Sequence, residues 1–275
     1  MLVGCDFSSS PSKRKPIVVA IGYLKQGRVH LQEVLQFETL DAWSQWLNEP
    51  QDWVGGFDFP FGLPRELVES LGWPTEWLSC TRHFSSMSRD AIRQQFKSYC
   101  DARPVGGKFS YRKTDGPAGS SPSMKWVNPP VAFMMHAGVP RLLDACVTLP
   151  GLYTPNQEKK HFTRIALEAY PGLLARELIG NKSYKSDEKT KQTPERLIAR
   201  KQILQALEEG QTRLRLRLKL TNAQHEALVA DSSGDTLDSV LCMVQVAWAQ
   251  VERAKGHGCY GLPEFDSLEG WIVTA

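Results

Sequence analysis

Two short apolar runs, Leu2-Val-Gly-Cys-Asp6 and Trp53-Val-Gly-Gly-Phe-Asp58, each stop on an aspartate. This repeated pattern constrains the chain more than any other feature, because short β-prone runs bounded by turn residues read as buried strands. Residues 8–16 carry serines, two prolines and a basic tip, which is the chemistry of a turn. The β-rich runs 17–24 and 28–37 follow, separated by Lys25-Gln26-Gly27, and complete an antiparallel meander. Thr39 suits the N-cap of a helix reaching Leu47, with Leu40, Trp43 and Leu47 on one face. Pro60 breaks the fourth strand, and Pro64 can open the next helix.

Farther along, Arg164-Ile-Ala-Leu-Glu168-Ala-Tyr170 reads as a fifth strand ended by Pro171, with helices at 173–179 and 194–209. The Arg-Leu alternation over 213–220 has the period of a strand, with a helix as the alternative, and a long amphipathic helix runs over 235–253. Between 73 and 162 the pattern loses regularity. Gly106-Gly107, Gly116-Pro117 and Ser120-Ser121-Pro122 mark loops between helical stretches at 91–99 and 140–146. Long irregular segments inside compact domains usually carry function or act as lids. Strand, strand, strand, helix, strand, helix, insertion, strand, helices is the element order of the ribonuclease H-like fold. The expectation is one α/β domain over 1–275, its five-stranded mixed sheet ordered 3-2-1-4-5 and flanked by helices, with a basic insertion at 73–162 between strands 4 and 5.

Composition fits a globular chain of this size: 275 residues, 41% hydrophobic and 23% charged. No apolar run is long enough to span a bilayer, so no membrane partner is expected. The opening residues lack the features of a signal peptide. The six cysteines form no Cys-x-x-Cys pair, which argues against a zinc knuckle and for free buried thiols. A cytoplasmic location follows as an expectation. The net charge of +3 says less than its distribution, since residues 82–125 hold nine basic side chains against three acidic ones. Such a segment can neutralise phosphates or be ordinary solvated surface.

In the 3-2-1-4-5 order, strands 1 and 4 are parallel neighbours. Asp6 and Asp58 would then meet at their carboxyl ends, in the crevice where open α/β sheets place ligands. Glu168 lies near the end of strand 5, next to strand 4. Asp235 and Asp238 are three apart on one helix and share a face. Each acid alone can be explained as a turn or first-turn helix residue. Together they describe a cluster whose mutual repulsion a hard divalent cation such as Mg2+ or Mn2+ would relieve.

At these residues the sequence resembles a known group. Gly4-Cys-Asp6-Phe-Ser8, Gly56-Phe-Asp58-Phe-Pro60-Phe-Gly62-Leu-Pro64, Glu168-Ala-Tyr170-Pro171 and Asp235-Thr-Leu-Asp238-Ser are similar to motifs of the domain of unknown function 429 family. Members of that family are held to be nucleases of the ribonuclease H-like superfamily, related to Holliday-junction resolvases. The resemblance implies Asp6 as central metal ligand, Asp58 as the second strand ligand, Asp235 and Asp238 as helix ligands, and Glu168 as an accessory catalytic acid. It also marks Tyr184, Lys185 and Arg200 as polar positions without an assigned role, and it allows a homodimer.

The leading expectation is a metal-dependent nuclease acting on structured DNA or RNA. Two ions about 3.5–4 Å apart would activate water and stabilise the leaving oxygen. Lys13, Arg14, Lys15, Arg103, Lys108, Arg112, Lys113 and Lys185 would contact the phosphate backbone, with Phe109, Tyr111 and Trp126 placed to stack on bases. Two alternatives stand beside it: a non-catalytic nucleic-acid-binding protein on the same fold, and an actin-like ATPase or sugar kinase. The second is disfavoured by the lack of a Walker-type glycine loop and of a second copy of the fold.

Overall fold

Strand β1 (Leu2–Asp6) is buried along its whole length in the middle of a mixed sheet. The computed structural model describes residues 1–156 and 162–275. Around β1 lie β2 (Ile17–Lys25), β3 (Arg28–Phe37), β4 (Trp53–Phe57), β5 (Arg164–Glu168) and β6 (Arg217–Lys219). They form a six-stranded sheet of order β5-β4-β1-β2-β3-β6. The β1–β2 and β2–β3 pairs are antiparallel, while β1–β4, β4–β5 and β3–β6 are parallel.

The chain is thus α/β with a mixed sheet, but the strand count and full order differ from the five-stranded expectation. The difference is β6. Its surroundings alternate buried Leu214, Leu216, Leu218 and Leu220 with exposed Arg213, Arg215, Arg217 and Lys219. Residues 217–219 pair with the outer edge of β3, from Arg28 opposite Arg217 to His30 opposite Lys219. The strand-period alternation over 213–220 is thus seen, but only three residues pair, and they cover part of an edge that would otherwise expose unpaired backbone groups.

Among the described residues ten α-helices accompany the sheet: α1 (Leu40–Leu47), α2 (Arg65–Ser70), α3 (Trp77–Ser86), α4 (Arg89–Asp101), α5 (Asp115–Ala118), α6 (Val131–Asp144), α7 (Pro171–Ile179), α8 (Pro194–Glu209), α9 (Asn222–Ala230) and α10 (Asp235–Ala254). Side chains alternate across a strand, so each strand feeds two cores. Val3, Cys5, Val19, Trp53 and Phe57 join Trp43, Phe84, Phe96 and Val139 on one face. Leu2, Ala20, Val29 and Leu167 join Leu174, Ile203, Leu241 and Val244 on the other.

The segment 73–162, expected to be largely irregular, carries four helices where it is described, α3 to α6; its residues 157–161 lie outside the described residues. α3, α4 and α6 supply much of the first core, including Trp77, Ile92, Phe96, Phe133 and Leu142. All six cysteines are free, four buried and two half-buried. Among the described residues no helix is long and apolar enough to cross a membrane.

The contact that matters most for the site is α10 against β1 and β4. A Cβ added at Gly4 would lie 2.0 Å from the Ser239 carbonyl oxygen, and one at Gly56 would lie 2.8 Å from that of Cys242. Real Cβ atoms do not come so close, so only glycine lets the helix backbone rest on these two strands. Gly4 and Gly56 are direct partners in the parallel ladder. The helix therefore sits across both at one level.

Candidate metal centre

Two residues beyond each of those glycines, on the same face of the sheet, come Asp6 and Asp58. The Asp58 amide donates to the Cys5 carbonyl at 3.0 Å, which continues the ladder to the aspartates. α10 starts at Asp235, so Asp238 in its first turn is carried down onto the two strand ends. One carboxylate oxygen from each of Asp6, Asp58 and Asp238 lies within 4.8 Å of the others. Oxygen donors at this separation suit a hard divalent cation, and Mg2+ or Mn2+ fits the donor set.

The start of α10 needs backbone acceptors, and Asp231 provides them. Its carboxylate accepts from the amides of Ser233, Gly234 and Thr236 at 3.1, 3.3 and 2.9 Å. Asp235 and Asp238 are left for other partners. Asp238 accepts from the Tyr184 hydroxyl and from the Lys185 ammonium. Asp235 accepts from Lys15 at 3.0 Å, while Lys15 also reaches Asp187 at 2.9 Å. Arg200, buried, donates to the Tyr184 carbonyl at 2.7 Å and the Val229 carbonyl at 2.8 Å. It therefore fixes the loop that presents Tyr184 and Lys185.

Four carboxylates thus face two ammonium groups, and at Asp6, Asp58 and Asp238 that imbalance adds to the effect of burial. Burial, reinforced by Asp238, Asp235 and Asp58 against the opposing pull of Lys185, pushes the Asp6 carboxyl well above the usual carboxylate range. Burial followed by Asp238 raises Asp58 to about 7, again against Lys185. Asp238 is raised by burial too, with Lys185 and Tyr184 opposing. Each shift marks negative charge without sufficient compensation, which a divalent cation would supply.

Of the expected ligands, Asp6, Asp58 and Asp238 converge. Asp235 is next to the group but outside the close triad, and it is held by Lys15. Glu168, expected as an accessory acid rather than a ligand, lines the same cavity as Asp58 and Asp238 but is not one of the three. It is the ladder partner of Phe57, not of Asp58, so it projects from the opposite face of the sheet. There its two oxygens take the Arg112 guanidinium at 2.7 and 2.8 Å, and one accepts from the Phe61 amide at 2.9 Å.

Arg112 is corrected by the same contact. It is 3% exposed and also binds Asp115 at 2.9 Å, so its fork is occupied inside the protein rather than offered to a phosphate backbone. Lys15 and Lys185 act as counter-ions to the acids, and Arg103 is paired with Glu66. Lys13, Arg14, Lys108 and Lys113 are exposed. Phe109 and Trp126 pack on each other and on the first core, whereas Tyr111 is exposed.

The counter-ion roles of Lys15 and Lys185 had no local signal in the sequence, because their partners are far away in the chain. The glycines did have one: each stands two residues before an aspartate, once per strand. Compared with protein-family models, with curated proteins and with solved structures, the chain matches none.

Proposed function

We propose that the chain is a metal-dependent nuclease: a phosphodiester hydrolase on a ribonuclease H-like sheet, as the resemblance to the domain of unknown function 429 family implies. Asp6, Asp58 and Asp238 would hold Mg2+ or Mn2+, with Asp235 as an adjacent acid. The observation that supports this most directly is the convergence of three carboxylates from two parallel strand ends and a helix start within 4.8 Å. A protein that only bound phosphates would gain nothing from concentrating negative charge there. Bound at this site, a divalent ion would supply Lewis acidity and a water of lowered pKa.

The remaining work belongs to the chain. Tyr184 and Lys185 orient Asp238, and the protons held by Asp6 and Asp58 leave as cation charge replaces them. Exposed Lys13, Arg14, Lys108 and Lys113 would meet the phosphates of DNA or RNA.

Asp6→Asn tests the reading, since it keeps the side-chain shape and removes one charge. Mn2+ affinity measured by calorimetry should fall, and cleavage of a panel of single-stranded and branched substrates should drop at least roughly a hundredfold, ~2.7 kcal/mol in the barrier. Metal-free thermal stability should hold or rise, because the amide mimics the protonated carboxyl of the metal-free site and cannot ionise. A variant that binds Mn2+ and cleaves like the parent would remove Asp6 from the site.

A further inference from the structure

A cavity of about 580 Å³ opens beside the acids, with Asp58, Asp238 and Lys185 among its lining residues. It reaches well beyond what an ion requires and falls within the size range of small-molecule sites. Past the acids its lining changes character. Val131 and Met134, both half-buried on the first turns of α6, and Ile179 at the end of α7 give it apolar wall. Arg176 and Lys182 add cationic groups. Arg176 also ties the two sides together, since its guanidinium donates to the Ala118 carbonyl at 2.6 Å and lies over the Tyr170 ring.

Two chemistries therefore adjoin: carboxylates suited to a cation that binds phosphate, and an apolar recess edged by positive charge. A flat phosphate-backbone surface requires no such recess. An inorganic phosphate would leave most of it empty. A sugar phosphate would place hydroxyls against Val131, Met134 and Ile179, where they lose hydrogen bonds to water. A nucleotide matches both parts, with its phosphate at the acids and its base against the apolar wall.

We propose that this cavity receives a single unstacked nucleotide unit, so that the substrate is a nucleotide presented one at a time, as a chain end or an extruded residue, rather than a continuous duplex. The assignment rests on the metal-centre reading above and adds to it a specificity wall made by Val131, Met134 and Ile179.

The test separates the two readings. Titration of the full chain with Mn2+ comes first and reads the metal centre alone. Absence of Mn2+ binding refutes that reading and this assignment with it. On the Mn2+-loaded protein, binding of the four deoxynucleoside 5′-monophosphates is then compared with ribose 5-phosphate and inorganic phosphate. The nucleotides should bind at least roughly tenfold tighter than ribose 5-phosphate, the factor conferred by ~1.4 kcal/mol.

Met134→Trp, which fills the recess, should remove that preference while leaving the Mn2+ isotherm unchanged. Val131→Trp, at a half-buried position opening α6, provides a second filling variant should the first melt early in circular dichroism. Equal binding of nucleotide and ribose 5-phosphate, or nucleotide binding undiminished in a folded filled variant, overturns the proposal while the metal centre stands. A gapless duplex cleaved as fast as single-stranded ends would overturn it as well.

Discussion

At Asp58 burial, reinforced by neighbouring acids, leaves a proton that the folded chain holds and the unfolded chain releases. Burial and Asp238 raise this carboxyl from 3.8 to about 7. Between those values the native state binds the extra proton, so metal-free stability falls as pH rises through the window. A full shift of this size sets a ceiling that coupling to Asp6 and Asp238 reduces, and a loss on the order of 1–3 kcal/mol is expected. Urea midpoints in chelator at pH 5 and pH 8 measure it. Asp58→Asn, which mimics the protonated form, should flatten the dependence and be the more stable protein at pH 8. Added Mn2+ should reverse the trend for the parent, because protons compete with the metal and binding stabilises the native state by mass action. An Asn variant with the parent's pH dependence would place the proton elsewhere. The aspartates themselves were legible in the sequence, as acids at the ends of apolar runs. Their counter-ions were not: Lys15 and Lys185 read as phosphate contacts because pairing with Asp235 and Asp238 is a tertiary fact.

Among the elements, α10 does the positioning, and its seat on Gly4 and Gly56 is what aims Asp238 at the strand ends. Gly4→Ala would push a methyl into the Ser239 carbonyl and the Met243 amide, both backbone groups that cannot rotate away. The helix must lift, at a cost of roughly 1–3 kcal/mol. Because the displacement also separates Asp238 from Asp6, Mn2+ affinity should fall together with the melting temperature. Gly72→Ala provides a control, since no atom lies within 4 Å of its added Cβ, although its positive φ brings some strain. An alanine at position 4 that lowers stability but leaves Mn2+ affinity intact would show that α10 is not what sets the triad.

The main strands and the long helix were legible because their burial is periodic. α3 is hard to see although Trp77, Cys80, Thr81 and Phe84 are buried at helical spacing, because the polar Thr81 interrupts the apolar face. α6 was placed too late because Pro140 resembles a first helical residue, whereas the helix starts at Val131 and carries the proline inside. The alternation that becomes β6 has the period of a strand, but its pairing with β3 depends on a distant partner and was not legible.

For the whole molecule, the group around Arg112 joins parts that the sheet alone does not. Arg112 comes from the segment between β4 and β5, Glu168 ends β5, and Phe61 follows the turn after Asp58. The C-terminal stretch closes the group: Arg112 donates to the Glu269 carbonyl at 3.1 Å, and Ile272 donates to the Thr114 hydroxyl at 3.0 Å. Despite burial, Glu168 and Asp115 keep the guanidinium charged. Sequence reading placed Glu168 among the catalytic acids because it ends a strand next to β4. Pairing with Phe57 turns it to the other face from Asp58 and hands it to Arg112, and side-chain parity across a ladder is not visible until the partner is known.

Glu168→Gln separates a ligand from a structural tie. If Glu168 holds the molecule together, the variant loses a buried ion-pair partner and leaves Arg112 half satisfied, on the order of 3 kcal/mol of stability measured by urea unfolding. Mn2+ affinity should then change far less than in Asp6→Asn, because Phe61 still positions the chain after Asp58 through its remaining contact with the amide oxygen of the new side chain. A variant that keeps the parent's stability and loses Mn2+ binding as fully as Asp6→Asn would make Glu168 a metal ligand and overturn its reading as a structural tie.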